Sequence, residues 1–203
     1  MSWAGHVEAG RRLRRAERRE LLLVAATRAF ARHGFAATSL DDVVREAGVS
    51  KVILYRHFES KADLYRAVLR RSEERLTAAV GEGEFTMDTI GVLLATAAED
   101  PDGFRLLFRH AAREPEFRAE MDRFQAESVA AAQRQLRNVI EDPDWVMWAA
   151  QLAPAVAVDA VIAWLDAGQP DRDRAAEGIA MVLSAIVEAA SSSGRGSASS
   201  GRC

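Results

Sequence analysis

Cysteine, proline and long apolar runs are scarce in this chain of 203 residues. The one cysteine, Cys203, argues against a disulfide framework, a zinc site and a catalytic thiol, and favours a reducing compartment. No segment approaches the roughly 18 consecutive apolar residues that span a bilayer. The first residues lack the apolar run that a secretory signal requires, so we expect no such signal. We therefore expect a cytoplasmic protein without a membrane partner.

Residue patterns for catalysis are also missing. The four histidines lie apart at positions 6, 33, 57 and 110, without metal-ligand spacing. The sequence has no glycine-rich phosphate loop and no nucleophile elbow. Asp41 and Asp42 fit the first turn of a helix better than an acid–base pair. We expect no catalytic residue, no metal, no cofactor and no enzymatic activity.

Charge is present but unevenly distributed, which the net charge of −3 conceals. Residues 1–75 hold 16 Lys and Arg against 10 Asp and Glu, whereas the remainder holds 11 against 20. A basic first third joined to an acidic remainder indicates that only the first third meets a polyanion. A chance cluster of surface arginines explains the same counts.

The 5 prolines leave long stretches rich in alanine and leucine, which favours helices over strands. A basic, flexible arm over residues 1–14 precedes a first helix from about Arg15 to His33, which Gly34 ends. A short helix from Leu40 to Ala47 stops at Gly48, where a positive φ is tolerated. Ser50 opens a third helix, and Ser60 opens a fourth over residues 61–80. Two short helices joined by a glycine turn predict a helix-turn-helix over residues 15–60.

Five further helices are predicted at about 86–98, 102–113, 116–140, 144–166 and 171–190, most of them with a proline at or just before the start. The fold class is therefore all-α, with about nine helices: an N-terminal helix-turn-helix domain of three helices and a helical bundle over residues 61–190. Residues 191–203 contain almost only Ser, Gly, Ala and Arg, which predicts a disordered tail.

The stretch from Phe35 to Tyr65 reads FAATSLDDVVREAGVSKVILYRHFESKADLY. Its glycine turn, capping serine, Tyr-Arg-His-Phe cluster and Ser-Lys opening of the next helix closely resemble the DNA-binding domain of the TetR/AcrR family over roughly residues 15–70. The resemblance implies that the third helix enters the major groove of double-stranded DNA. It also implies that Tyr55 and His57 touch the DNA backbone and that Lys61 holds a phosphate.

Nine side chains are candidate DNA contacts by this reasoning: Thr38, Ser39, Ser50, Lys51, Ile53, Tyr55, Arg56, His57 and Lys61. The hydroxyls among them serve equally as helix caps. A solvated face is the alternative for Lys51 and Arg56, and a packed ring is the alternative for His57. Val52 and Ile53 depart from the family pattern, and such apolar side chains can contact a thymine methyl. The arginines from Arg11 to Arg19 either reach DNA or form a solvated helix face.

Large side chains recur at helical spacing in the bundle. The candidates for an effector pocket are Phe104, Leu107, Phe108, Met121, Phe124, Trp145 and Trp148, with His110 and Gln125 as polar anchors. Plain hydrophobic core is the alternative for each. The two last long helices resemble those that form the four-helix dimer interface of the family, and their many alanines permit close contact.

We therefore expect a homodimeric repressor that binds a palindromic operator and is released by a small hydrophobic effector. The alternative is a DNA-binding dimer without such an effector, controlled by a protein partner or by abundance. A core filled by Trp145, Trp148 and Trp164 would favour that alternative. A helical enzyme or carrier for a hydrophobic molecule is the remaining class.

Overall fold

The computed structural model describes residues 3–81 and 87–193, with side chains placed for residues 15–81 and 89–192. These residues form nine α-helices and no strand, which confirms the all-α fold class. In chain order they are α1 (Trp3–Ala37), α2 (Leu40–Ala47), α3 (Lys51–Tyr55), α4 (Lys61–Val80), α5 (Met87–Glu99), α6 (Pro101–Arg105), α7 (Arg118–Leu136), α8 (Pro143–Asp166) and α9 (Arg172–Ser193).

The residues at the helix ends explain where the helices of the N-terminal part begin and end. Gly34 departs from helical geometry inside α1 (φ 75°, ψ 169°), at the position where the sequence predicts a stop. Ser39 begins α2 with a capping box, in which its hydroxyl accepts from the Asp42 N–H and the Asp42 carboxylate accepts from the Ser39 N–H. Gly48 ends α2 in the left-handed region (φ 65°, ψ 28°), which confirms the glycine turn. The predicted bounds of α2 and α4 match the structure.

Several predicted elements differ from the structure. The backbone of the predicted flexible arm is helical from Trp3, because the arginine-rich start offers helix-forming residues without an apolar stripe to reveal them. The predicted helix over 102–113 is α6 followed by a π-helical turn (Leu106–His110) and a 3₁₀ turn (Ala111–Arg113). The helix predicted from residue 116 begins at Arg118, after a 3₁₀ turn at Pro115–Phe117. Residues 191–193 of the predicted disordered tail belong to α9, and residues 194–203 lie outside the described residues.

An aromatic cluster joins the helix-turn-helix to the bundle. The ring of Tyr65 on α4 lies 4.9 Å from Phe30 on α1 and 4.5 Å from Phe117 between centroids. The Phe35 and Phe117 rings meet edge to face at 4.9 Å. This first core also contains Leu106, Leu107, Ala111 and Met121 from the bundle. The predicted division at residue 60 therefore does not separate two hydrophobic cores.

A charged triad ties the same elements together at the surface of the core. The Arg71 side chain on α4 is 13% exposed and contacts Glu20 of α1 at 2.6 Å and Asp100 at 2.8 Å. Asp100 also accepts the Gly103 N–H at 3.0 Å and so caps α6. One arginine thereby holds α1, α4 and α6 in register.

Two further apolar clusters fill the bundle. One packs α5, α6, α8 and α9 around Leu94, Val161 and Trp164. The other joins the loop residue Ile140 to α8 and α9 through Val146 and Ile186. The Trp164 ring nitrogen donates to the Pro170 carbonyl at 2.7 Å, which fixes the turn between α8 and α9. The short turn makes the two last helices an antiparallel pair that packs together.

Candidate nucleic-acid interface

The third helix separates buried from exposed side chains sharply. Leu54 and Phe58 point inward and are almost fully buried. Val52 is 62% exposed and Tyr55 is 51% exposed, and Lys51 and Arg56 are exposed beside them. An outward face that carries a phenol, two cations and an apolar side chain has the chemistry for contacts to phosphates and to base edges.

Ile53 lies differently from the other α3 candidates. It is half-buried and packs against the first core, as Val44 and Val49 also do. Val52, which departs from the family pattern and was not among the nine candidates, is the apolar residue that α3 exposes most. Its position in the sequence could have identified it, because Val52 lies three residues before Tyr55 and so shares a helix face with it.

Lys51 already has an acidic partner. Its ammonium group lies 2.9 Å from a carboxylate oxygen of Asp41 at the start of α2. The hydrogen bond to Asp41, with the attraction between the charges, raises the pKa of Lys51. Both side chains are well exposed, so the pair is weak and a phosphate can replace Asp41.

Thr38 and Lys61 hold the end of α1 in this structure. Thr38 is buried, and its hydroxyl bonds to the Gly34 carbonyl at 2.7 Å. Lys61 donates to the carbonyls of Phe35, Ala36 and Thr38 at 2.8, 3.2 and 3.1 Å. Its ammonium also lies 4.5 Å from the centre of the Phe35 ring. Three carbonyls occupy the three protons of Lys61, so a phosphate contact requires the side chain to exchange partners.

The two exposed serines differ in what their hydroxyls do. Ser39 is engaged in the capping box, and its hydrogen bonds to Asp42 lower the pKa of that carboxyl to about 2. Ser50 occupies the N-cap position of α3 without a capping bond from its side chain. Its hydroxyl therefore remains the better placed of the two to meet a phosphate.

His57 stands at the corner between α3 and α4. Its ring is partly buried, and burial lowers its pKa, with a further contribution from the charges of Arg15, Arg19 and Arg18. These arginines come from α1, about forty residues earlier in the chain. The sequence alone does not connect them with His57, since no local spacing relates the two.

The effector candidates do not form one group. Phe104 and Leu107 border a pocket between α4, α5 and α6 that is also lined by Ser72, Arg75, Leu76, Thr96, Asp100 and Gly103. Its volume is about 20 Å³, which is room for about one water molecule. Phe108 continues this group, since its ring lies 4.7 Å from Phe104 and 5.8 Å from Phe124.

Of the other candidates, Met121 shares the first core with Leu107, and the rest lie apart from it. Met121 is buried in the first core, and His110 is half-buried in the π-helical turn. Trp145 and Trp148 meet edge to face at 5.4 Å, with Trp145 against the third cluster and Trp148 41% exposed. Gln125 is exposed on α7. The structure therefore gathers Leu107, Met121, Phe108 and Phe124 at the first core, with the Phe104 ring against Phe108, and leaves Trp145, Trp148 and Gln125 apart from them.

Metal ligands and membrane-length helices are two further features of interest. Residues 3–81 and 87–193 contain no cluster of three His, Cys, Asp or Glu side chains suited to a metal ion. The helices α8 and α9 are long and apolar enough to cross a membrane by length and composition, with mean hydropathies of 1.7 and 1.3. One or two such helices also occur in soluble bundles.

A capped helix, a glycine turn and a short helix with an exposed mixed face, held between longer helices, define a DNA-binding protein of the helix-turn-helix class. Residues 22–68 match the model of the bacterial regulatory proteins of the tetR family. The chain is 34% identical over 189 residues to the transcriptional activator FasR of Mycolicibacterium smegmatis, covering 86% of this chain and 85% of that protein. The chain belongs to the TetR family of transcriptional regulators.

A further relative agrees with this assignment, and two solved structures share the fold. A transcriptional repressor of Streptomyces coelicolor is 32% identical over 58% of this chain and 65% of its own length. A TetR-like regulator from Rhodococcus superposes with a TM-score of 0.69 at 20% identity, covering 84% of this chain and 93% of that one. The FadR regulator of Bacillus subtilis, solved in complex with stearoyl-CoA, has a TM-score of 0.60 at 16% identity, covering 85% of this chain and 97% of that one.

The two tyrosines of the chain provide a matched test of the interface. Tyr55→Phe removes an exposed hydroxyl from α3, and we expect DNA affinity to fall about fivefold on every sequence, as for one lost hydrogen bond. Tyr65→Phe removes a buried hydroxyl that has no hydrogen-bond partner. We expect that variant to keep its DNA affinity and to gain about 1 kcal/mol in free energy of unfolding.

Fluorescence anisotropy on DNA and urea unfolding measure the two effects. Equal DNA affinity of Tyr55→Phe and the unmodified protein would remove Tyr55 from the interface. A loss of stability in Tyr65→Phe would show that its hydroxyl has a partner in solution.

Proposed function

We propose that this chain is a homodimeric, ligand-responsive repressor that acts in the cytoplasm on a palindromic operator. The observation that carries the proposal is the exposed face of α3, with Lys51, Val52, Tyr55 and Arg56 directed away from the core. In a two-fold dimer two such helices, about 34–36 Å apart, meet successive major grooves of DNA.

The dimer is supported by apolar surface that the single chain leaves uncovered. Only 33% of the apolar window of α8 and 22% of that of α9 is buried within the chain. Met181 is 72% exposed and Val182 is 50% exposed on α9. A second copy of the same helix pair would cover this face as a four-helix bundle, which also accounts for the high hydropathy of α8 and α9.

An effector site is proposed around Phe104, Phe108 and Phe124. These rings connect the pocket between α4, α5 and α6 to α7. The pocket has to widen before it accepts a drug-sized molecule, because such ligands fill roughly 300–1,000 Å³. The stearoyl-CoA complex of the FadR regulator, which shares this fold, supports a long acyl chain as the first ligand to test.

Two alternatives each have an observation in their favour. The small pocket favours a DNA-binding dimer without a small-molecule effector. The FasR relative, a transcriptional activator that aligns with most of the chain, favours activation over repression. Transcription in vitro from the bound promoter distinguishes repression from activation, since a repressor lowers the amount of transcript and an activator raises it.

The dimer face is tested by adding a charge to it. We expect Met181→Arg to give monomers, because an arginine in an apolar interface is desolvated without a partner, and to weaken operator binding at least tenfold. Val139→Arg is the matched control, since Val139 is 60% exposed in the turn before α8. Sedimentation velocity and anisotropy on DNA measure both properties. A Met181→Arg variant that remains dimeric would place the interface elsewhere.

The effector is tested with stearoyl-CoA and free coenzyme A on the protein bound to its own upstream DNA. We expect stearoyl-CoA to weaken DNA binding about 5- to 150-fold, the range of ordinary allosteric coupling, and coenzyme A to have no effect. Phe108→Ala should reduce this response. If acyl-CoA esters of several chain lengths neither release DNA nor shift the melting temperature, the alternative without a small-molecule effector is favoured.

A further inference from the structure

One serine inside the bundle has a buried hydroxyl without a hydrogen-bond partner. Ser72 lies in the middle of α4 and is 9% exposed, and its hydroxyl bonds to no group that the structure describes. Serine and threonine hydroxyls inside a helix often donate to the carbonyl four residues earlier. Thr27, Thr96 and Ser128 do so here at 2.8, 2.9 and 3.1 Å. Ser72 does not form this bond, and a buried hydroxyl without a partner destabilises the fold.

Ser72 borders the small pocket between α4, α5 and α6. The volume of about 20 Å³ accommodates a group about the size of one water molecule, such as a hydroxyl or a carbonyl oxygen. Leu76, Phe104 and Leu107 supply the apolar part of the lining. The pocket thus combines an apolar wall with a hydroxyl that lacks a partner, and ligand sites are typically apolar with a few polar groups.

The charged side chains that line this pocket are already paired. The Asp100 carboxylate contacts Arg71 at 2.8 Å and accepts the Gly103 N–H at 3.0 Å. Gly103 packs so closely on this carboxylate that a Cβ at its position would lie 2.7 Å from an Asp100 oxygen. The Arg75 guanidinium contacts Glu99 at 3.0 Å. Both charges of the lining are therefore compensated within the chain.

Ser72 is consequently the polar group through which the pocket can recognise a ligand. The Thr96 hydroxyl, which also belongs to the lining, already donates to the Val92 carbonyl. A charged ligand group would be buried beside charges that have their own partners, so its desolvation would not be offset by a new ion pair. A neutral hydroxyl or carbonyl can bond to Ser72 and leave both ion pairs intact.

We propose that the pocket beside Ser72 binds the neutral polar end, a hydroxyl or a carbonyl, of an otherwise apolar small molecule, and that the Ser72 hydroxyl bonds to it. This rests on the proposed effector site and adds to it the residue that recognises the ligand and the charge that the ligand must have. The apolar part of the ligand contacts Phe104 and reaches Phe108, whose ring lies 4.7 Å from that of Phe104. The pocket has to widen in this direction to admit it.

Decanol, decanoate and decylammonium share one alkyl chain and differ in the charge of the polar end, so they test the proposal on the unmodified full chain. Isothermal titration calorimetry measures each affinity at concentrations that do not form micelles. We expect decanol to bind at least tenfold more tightly than either ion. Glu99→Gln leaves Arg75 without its partner, and it should raise the decanoate affinity up to about fivefold while that of decanol stays unchanged.

Ser72→Ala tests the hydroxyl itself. We expect decanol to bind this variant about tenfold more weakly, because the hydrogen bond is lost and the polar end of the ligand stays unpaired. The same variant should melt about 2–4 °C higher, since it lacks a buried hydroxyl without a partner, so unfolding would not explain the loss of binding. Tyr65→Phe is the matched control. It removes another such hydroxyl of α4, outside the pocket lining, and should keep the affinity for decanol.

The proposal is overturned if decanol does not bind, if either ion binds as tightly as decanol, or if Ser72→Ala keeps the affinity for decanol. Fluorescence anisotropy on the upstream DNA separates this proposal from the proposed function. Decanol binding that depends on Ser72 but leaves DNA affinity unchanged supports the site and contradicts its effector role. Release of DNA by decanol that Ser72→Ala does not alter supports an effector role and contradicts the site.

Discussion

The packing of Tyr65 between Phe30 and Phe117 is the contact on which the arrangement of this protein depends. Phe30 belongs to the first helix of the helix-turn-helix, Tyr65 belongs to α4, and Phe117 belongs to the segment that follows α6. Burial in this apolar cluster, with Glu114 nearby, raises the pKa of the Tyr65 phenol, which therefore stays protonated. Large aromatic side chains contribute more buried area than any other residue type, so this contact outweighs the surface ion pairs around it.

This shared core connects the proposed effector site directly to the helices of the helix-turn-helix. Phe104 and Leu107 line the small pocket, and Leu107 with its neighbour Leu106 is also part of the first core. The π-helical turn between α6 and α7 contains both leucines, and such turns are frequent at functional sites. Asp100 belongs to the pocket and to the Arg71 triad at once. A displacement of α6 by a ligand would thus act on α1 and α4 through packing and charge together.

Local signals made the helix-turn-helix predictable. Ser39, Gly48 and Ser60 determine helix ends by themselves, and the bounds of α2 and α4 were correct for that reason. Long-range contacts were not predictable. Nothing in the sequence indicates that Lys61 bonds to carbonyls near residue 36, or that His57 meets arginines of α1. The change from α-helix to π-helix after Arg105 was also not predicted, because the apolar residues around it have the spacing of a regular α-helix.

The effector residues were the least predictable part, for a physical reason. Aromatic side chains at helical spacing fill cores and line cavities equally well, and only the neighbouring helices decide which. Phe104 and Phe108 came together with Phe124, whereas Trp145 and Trp148 contact each other in the first turns of α8. Among the DNA candidates, Lys51 and Tyr55 are exposed on α3 and Arg56 is exposed directly after it, and their contact with DNA stays a prediction.

Native-state hydrogen exchange tests most directly whether the helix-turn-helix and the bundle are one cooperative unit. If the aromatic core joins them, the slowest amides of α1, those of α4 and those near Phe117 open with one common free energy, and Phe117→Ala lowers all of them together. If α1 to α3 open at a clearly lower free energy than α4 and the bundle, and Phe117→Ala leaves that value unchanged, the two parts are independent and the account is wrong.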